Sequence, residues 1–269
     1  MTLKSTPDPA ITTLLLAAHG SSRPGGHNPV RQLTERLKAK HLFADVRCGF
    51  LKEPPLLGDV LSEITAPELT VIPMLTGHGF ITDELIPEAL LAVNNSTTVH
   101  LCNPLGTAQP IADVMAQRAR LVINKQNLNP DQVSILITAH GNAANPENAR
   151  QTKALAARIE GLLGDIMTKA AFIEEAPLIS GWPQWTKTEN LIVLPFLIGG
   201  GMHGAEDVPV MLGIDDKNHP FVLRDNDAPF IGPLKAHGHS IWLCQALGYE
   251  DALVDVIIGL AQQQLKING

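Results

Sequence analysis

The sequence predicts an α/β protein of two similar parallel-sheet domains produced by an internal duplication, and three observations carry that prediction. The apolar run TLLLAAH at residues 13–19 returns as SILITAH at 134–140, 121 residues later. A second pair of apolar runs, LTVIPML at 69–75 and NLIVLPFL at 190–197, places Pro73 and Pro195 122 residues apart. Between these runs lie stretches of helical pattern, and strands alternating with helices imply βαβ units with right-handed crossovers.

Taken in order, each first run reads as a buried strand that ends in His-Gly, at His19 and His140. A polar Gly/Ser/Asn loop follows, and then a helical pattern over 28–40 in the first copy and 145–163 in the second. In the second copy Asn145, Pro146 and Glu147 supply an N-cap, a first-turn proline and a first-turn acid. A second strand is expected over 45–51, ending near Glu53-Pro54-Pro55, with its counterpart over 170–174, ending in Glu175-Ala176-Pro177. The proline-containing runs form the third strands, and the copies stay in step from there to Pro87 and Pro209. Asn103-Pro104-Leu105 and Gly232-Pro233-Leu234 are each expected to precede a terminal helix, with a loop inserted in the second copy around 213–229. A break at 127–131 (NLNPD) divides the chain into domains 1–128 and 129–269.

Composition narrows the function classes. With 45% of its 269 residues apolar and 17% charged, each half can bury a sizeable core. A net charge of -7 with scattered Lys and Arg argues against nucleic acid as a partner. No run of 18 apolar residues and no apolar signal core occurs, so no membrane partner and a cytoplasmic location are expected. Cys48, Cys102 and Cys244 lack metal-ligand spacing and fit buried thiols in a reducing compartment.

Ligands of open parallel sheets bind beyond the carboxyl ends of the strands, which directs attention to the polar residues there. In the second copy His140 ends the first strand, Glu174 the second, and His203 lies in the loop GGGMHG at 199–204 after the third. Two imidazoles and a carboxylate converging on one place can hold a divalent cation and take up protons near neutral pH. Singly each has a plainer explanation: a turn residue for His140, a solvated strand end for Glu174, a loop histidine for His203. The first copy serves as a control. His19 matches His140, but Ile81 stands opposite His203, and Leu51 or Lys52 opposite Glu174. His78, in Gly77-His78-Gly79, either faces the same place or caps a turn.

The strand-end Ala-His-Gly, Glu-x-x-Pro at 174–177 and HGAEDVP at 203–209 resemble the class II tetrapyrrole chelatases, and among them the sirohydrochlorin cobalt and iron chelatases. The resemblance covers nearly the whole chain, including the Gly-Pro-Leu before the last helix. It implies a chelatase-like fold of two α/β lobes with a cleft between them, and insertion of a divalent metal into a metal-free tetrapyrrole. The metal, Co2+ or Fe2+ and possibly Ni2+, is then a substrate. His140, His203 and Glu174 match the family's two metal-binding histidines and its acidic residue, which makes them both metal ligands and catalytic residues. Asp207 either orients His203 or caps the following helix. The substrate is a polycarboxylate, so the N-terminus of the helix near Asn145 together with Arg150, Lys153 and Arg23 are candidates to bind its carboxylates.

Metal insertion removes two pyrrole N–H protons while the cation sheds water, so it needs nitrogen ligands that bind loosely and a proton acceptor. No Gly-x-x-x-x-Gly-Lys-Ser/Thr phosphate loop is present, so no nucleotide is expected. A metal or tetrapyrrole carrier on the same fold is the alternative. A phosphohistidine phosphatase is not, because that chemistry wants arginine before the His-Gly and the residues here are Ala18 and Ala139. The chain is expected to act as a monomer or homodimer.

Overall fold

The computed structural model describes residues 8–20, 28–143, 145–199, 207–214 and 228–267, with side chains to 264. Among them nine strands form two sheets. The first contains β1 (Thr12–Ala18), β2 (Asp45–Phe50), β3 (Glu68–Pro73) and β4 (Thr98–Leu101), all parallel, in the order β2-β1-β3-β4. The second contains β5 (Val133–Ala139), β6 (Thr168–Phe172), β7 (Asn190–Pro195), β8 (Phe230–Ala236) and β9 (His239–Cys244), in the order β6-β5-β7-β9-β8. Its first four members repeat the first sheet strand for strand and are parallel; β8 is added on the edge, antiparallel to β9. The register carries the duplication to the residue, since Ala17 pairs with Pro73 in one sheet and Thr138 with Pro195 in the other.

The added strand corrects one expectation. Gly232-Pro233-Leu234 lies inside β8 and does not introduce the last helix. The partner of Asn103-Pro104-Leu105 is Gln245-Ala246-Leu247, because β4 follows β3 as β9 follows β7: Leu101 sits beside Val71 and Leu243 beside Val193. The offset between copies thus grows from 122 to 142, and the insertion holds a strand as well as a loop. Residues 215–227 of that loop lie outside the described residues.

Helices α1 (Pro29–Lys38), α2 (Leu57–Ser62) and α3 (Ile86–Leu90) accompany the first sheet. Leu15 and Ala17 of β1 join Leu57, Val60 and Leu61 of α2 and Ile86 of α3 in one apolar layer. Strand alternation sends the fully buried Leu14 and Leu16 to the opposite face. In the second sheet Leu136, Leu191 and Val193 pack with Trp182 and with Val208 of the short helix α6 (Val208–Met211). Trp182, whose ring is fully buried, donates its indole N–H to the carbonyl of Leu212 at 3.1 Å.

The helix starts follow the sequence. Asn28 and Asn145 each accept the backbone N–H two residues on, from Val30 and Glu147, and each precedes a first-turn proline. Helix α5 (Pro146–Leu162) is nonetheless longer than α1, 17 residues against 10.

The last helices are exchanged. The chain packs as two compact units, Met1–Ala108 with Glu250–Gly269, and Gln109–Tyr249. Helix α4 (Pro110–Gln126) therefore belongs with the second sheet, against α5 and β7, while α7 (Leu253–Ile267) belongs with the first, against α1 and β3. Arg118 of α4 is buried and donates to the carbonyl of Gln245, and Arg158 of α5 reaches Asp113 of α4 at 3.1 Å. On α7 Gln264 donates to the carbonyl of Leu101 at 3.0 Å. The repeat boundary near 128 and the packing boundaries near 108 and 249 are thus different lines. The break at 127–131 marks the end of a repeat, yet it joins two elements of one unit.

Candidate active site

The second unit builds its strand end from local geometry. Strand β5 stops at Ala139, and His140 and Gly141 turn the chain beyond the carboxyl edge of the sheet. Gly141 has φ +78, and a Cβ placed on it would stand 2.9 Å from Phe172 Cβ and 2.9 Å from Glu175 Cγ. Both conformation and space therefore require glycine after the histidine. Gly141→Ala is expected to cost about 1–3 kcal/mol, read as a lower midpoint in urea. Gly161→Ala, on an open helix surface with nothing within 4 Å of the new methyl, is expected to leave stability equal or raised by up to about 1 kcal/mol.

The turn fixes the imidazole. His140 Nδ1 lies 2.9 Å from the carbonyl oxygen of Gly141, and a carbonyl only accepts, so Nδ1 carries the proton and Nε2 presents its lone pair. Metal-binding histidines are commonly oriented by such a bond to a main-chain carbonyl. Glu174, two residues past β6, brings Oε2 to 3.6 Å from the same Nδ1, with its main-chain N–H on the carbonyl of His140 at 3.0 Å. The His140 and Glu174 side chains are 42% and 56% exposed, which leaves both within reach of a ligand. The neighbouring Glu175 works on the loop instead, where its Oε1 accepts the N–H of Asn142 at 2.7 Å and closes the turn.

The first unit repeats this frame with one charge reversed. Gly20 has φ +76 and is crowded by Phe50 and Glu53 just as Gly141 is by Phe172 and Glu175. His19 Nδ1 donates to the Gly20 carbonyl at 3.1 Å. Lys52 N–H binds the carbonyl of His19 at 3.0 Å, which makes Lys52, not Leu51, the counterpart of Glu174. Burial, reinforced by the charge of Lys52, pushes His19 below the ordinary histidine value against the opposing pull of its bond to Gly20. Glu53, the twin of Glu175, accepts Asn28 Nδ2 at 2.6 Å and Arg31 at 3.4 Å.

Of the remaining candidates, His203 and Arg23 lie outside the described residues. His78, in the loop after β3, is held by Asp83 of the following π-helical turn Ile81–Leu85, Nδ1 to Oδ1 3.2 Å. Asp207 stands at the start of α6 but makes no side-chain capping bond there. Arg150 is engaged by Glu147 through two bonds, at 2.6 and 2.8 Å. Lys153 lies over the Phe172 ring at 5.8 Å, as Arg31 lies over Phe50 at 4.7 Å, so a cation covers the same phenyl ring in both copies. None of the three cysteines is in a disulfide; Cys102 and Cys244 are buried and Cys48 half-buried, and burial raises the Cys102 thiol to about 12. Among the described residues no group of three or more His, Cys, Asp or Glu is placed to hold a metal, and no helix is long and apolar enough to cross a membrane.

Sequence reasoning missed Glu53 and Glu175 as loop anchors. Their signal was present as a glutamate two residues before Pro55 and Pro177 in both copies; the peptide bonds before these two prolines are both cis.

A duplicated α/β protein with a histidine-carboxylate pair at one strand edge is the class that fold and geometry define. The chain belongs to the CbiX family, whose profile matches residues 13–121 and again 134–264, once in each copy. A probable sirohydrochlorin cobaltochelatase of Halobacterium salinarum is 26% identical over 273 residues, covering 92% of this chain and 90% of that protein. A sirohydrochlorin cobaltochelatase of Methanosarcina barkeri is 29% identical over 121 residues, 40% of this chain but 93% of its own length, and so corresponds to about one copy. The fold is shared with the structure of SirB from Bacillus subtilis with Fe3+, at TM-score 0.71 and 14% identity over 94% of this chain and 95% of that one. The resemblance drawn from the Ala-His-Gly, Glu-x-x-Pro and HGAEDVP motifs is borne out by these matches.

Proposed function

We propose that the protein is a lyase that inserts a divalent cobalt or iron ion, or nickel, into sirohydrochlorin or a closely related polycarboxylate tetrapyrrole on the way to cobalamin or siroheme. The observation that carries this is the His140–Glu174 pair: an imidazole whose Nδ1 is committed to Gly141, with a carboxylate 3.6 Å from that same nitrogen. Family membership and the names of the relatives support the substrate.

In this reading His140 Nε2 and His203 present the metal to the macrocycle, and both are neutral nitrogen donors that release it again. Insertion forms bonds from the metal to the pyrrole nitrogens and breaks two N–H bonds, so two protons leave for each divalent cation that enters. Glu174, half exposed at the strand edge, accepts these protons and passes them to water. His140 loses no proton in this scheme, and its orientation is held throughout by the Gly141 carbonyl. The metal is chosen by what the cell supplies, since imidazole and carboxylate donors accept all three ions. The reaction runs in the cytoplasm and draws on no nucleotide.

The test is an anaerobic incubation of purified protein with metal-free sirohydrochlorin and Co2+ or Fe2+, followed by absorbance. Insertion faster than the protein-free control, and equal with and without ATP, is the expected result. Tight binding of metal and macrocycle with insertion no faster than background would mark a carrier, and a requirement for ATP would mark a different class of chelatase.

A further inference from the structure

We draw no further inference here: the strongest candidate, the imidazole pair His237 and His239 at the β8–β9 turn, 5.7 and 5.0 Å from the buried Trp182 ring, carries nothing, because among the described residues no third His, Cys, Asp or Glu joins them to hold a metal and His239 is already engaged by the carbonyl of Thr188.

Discussion

Replacing His140 with alanine is expected to lower metal insertion at least about a hundredfold while leaving the fold intact. Groups that merely orient a ligand commonly cost ten- to a hundredfold when removed, and His140 is proposed as the ligand itself. Its ring is 42% exposed and is tethered to the adjacent carbonyl rather than packed in the core, so unfolding free energy should change by less than about 1 kcal/mol. Steady-state insertion, with circular dichroism and urea unfolding on the same sample, measures both quantities. His19→Ala is the matched control, because His19 has the same tether to Gly20 but faces Lys52 in place of a carboxylate. Its loss should be less than about fivefold. Equal damage from the two substitutions in folded protein would place the metal chemistry in both copies and remove the assignment to the second.

Glu174→Gln is expected to reduce the insertion rate about a hundredfold or more while shifting Co2+ affinity less than tenfold. The amide keeps the shape and one oxygen ligand but cannot take a proton, and positioned acid-base groups contribute about 10²–10⁴ in rate. Single-turnover insertion and metal titration read the two effects apart. Were affinity and rate to fall together, Glu174 would be a ligand first and a base second. The adjacent Glu175→Ala should behave differently, since that carboxylate closes the loop on Asn142 N–H at 2.7 Å. Its effect belongs in stability, about 1–2 kcal/mol.

What the sequence disclosed and what it hid divide along a physical line. The buried strands were legible because continuous apolar runs ending in His-Gly, or containing proline near the end, recur at nearly constant offset. The helix start at Asn145 was legible because capping is local chemistry, and the structure shows the bond itself. Strand β8 escaped because its Gly232-Pro233-Leu234 resembles a helix lead-in, and only pairing with β9 reveals the strand. The 122-residue offset of the later strands sets Lys52 opposite Glu174, whereas the 121-residue offset of β1 and β5 sets Glu53 there; the hydrogen bond to His19 selects Lys52 and excludes Leu51. Glu175 was passed over in favour of Glu174, and the two differ in their partners, which adjacent letters do not express. The exchange of the last helices left no mark on the periodicity at all, for an amphipathic helix reads the same whichever sheet it covers.

That exchange has a temporal side. A ribosome delivers β1 through β4 early, yet the helix that lies against α1 and β3 is residues 253–267, which emerge only after the whole second unit. The second unit, Gln109–Tyr249, is continuous in sequence and holds all of its own elements as soon as Tyr249 has left the exit tunnel. The unit begun first is thus finished last, and during translation it waits with part of its apolar face uncovered, a window in which a nascent chain is prone to aggregate.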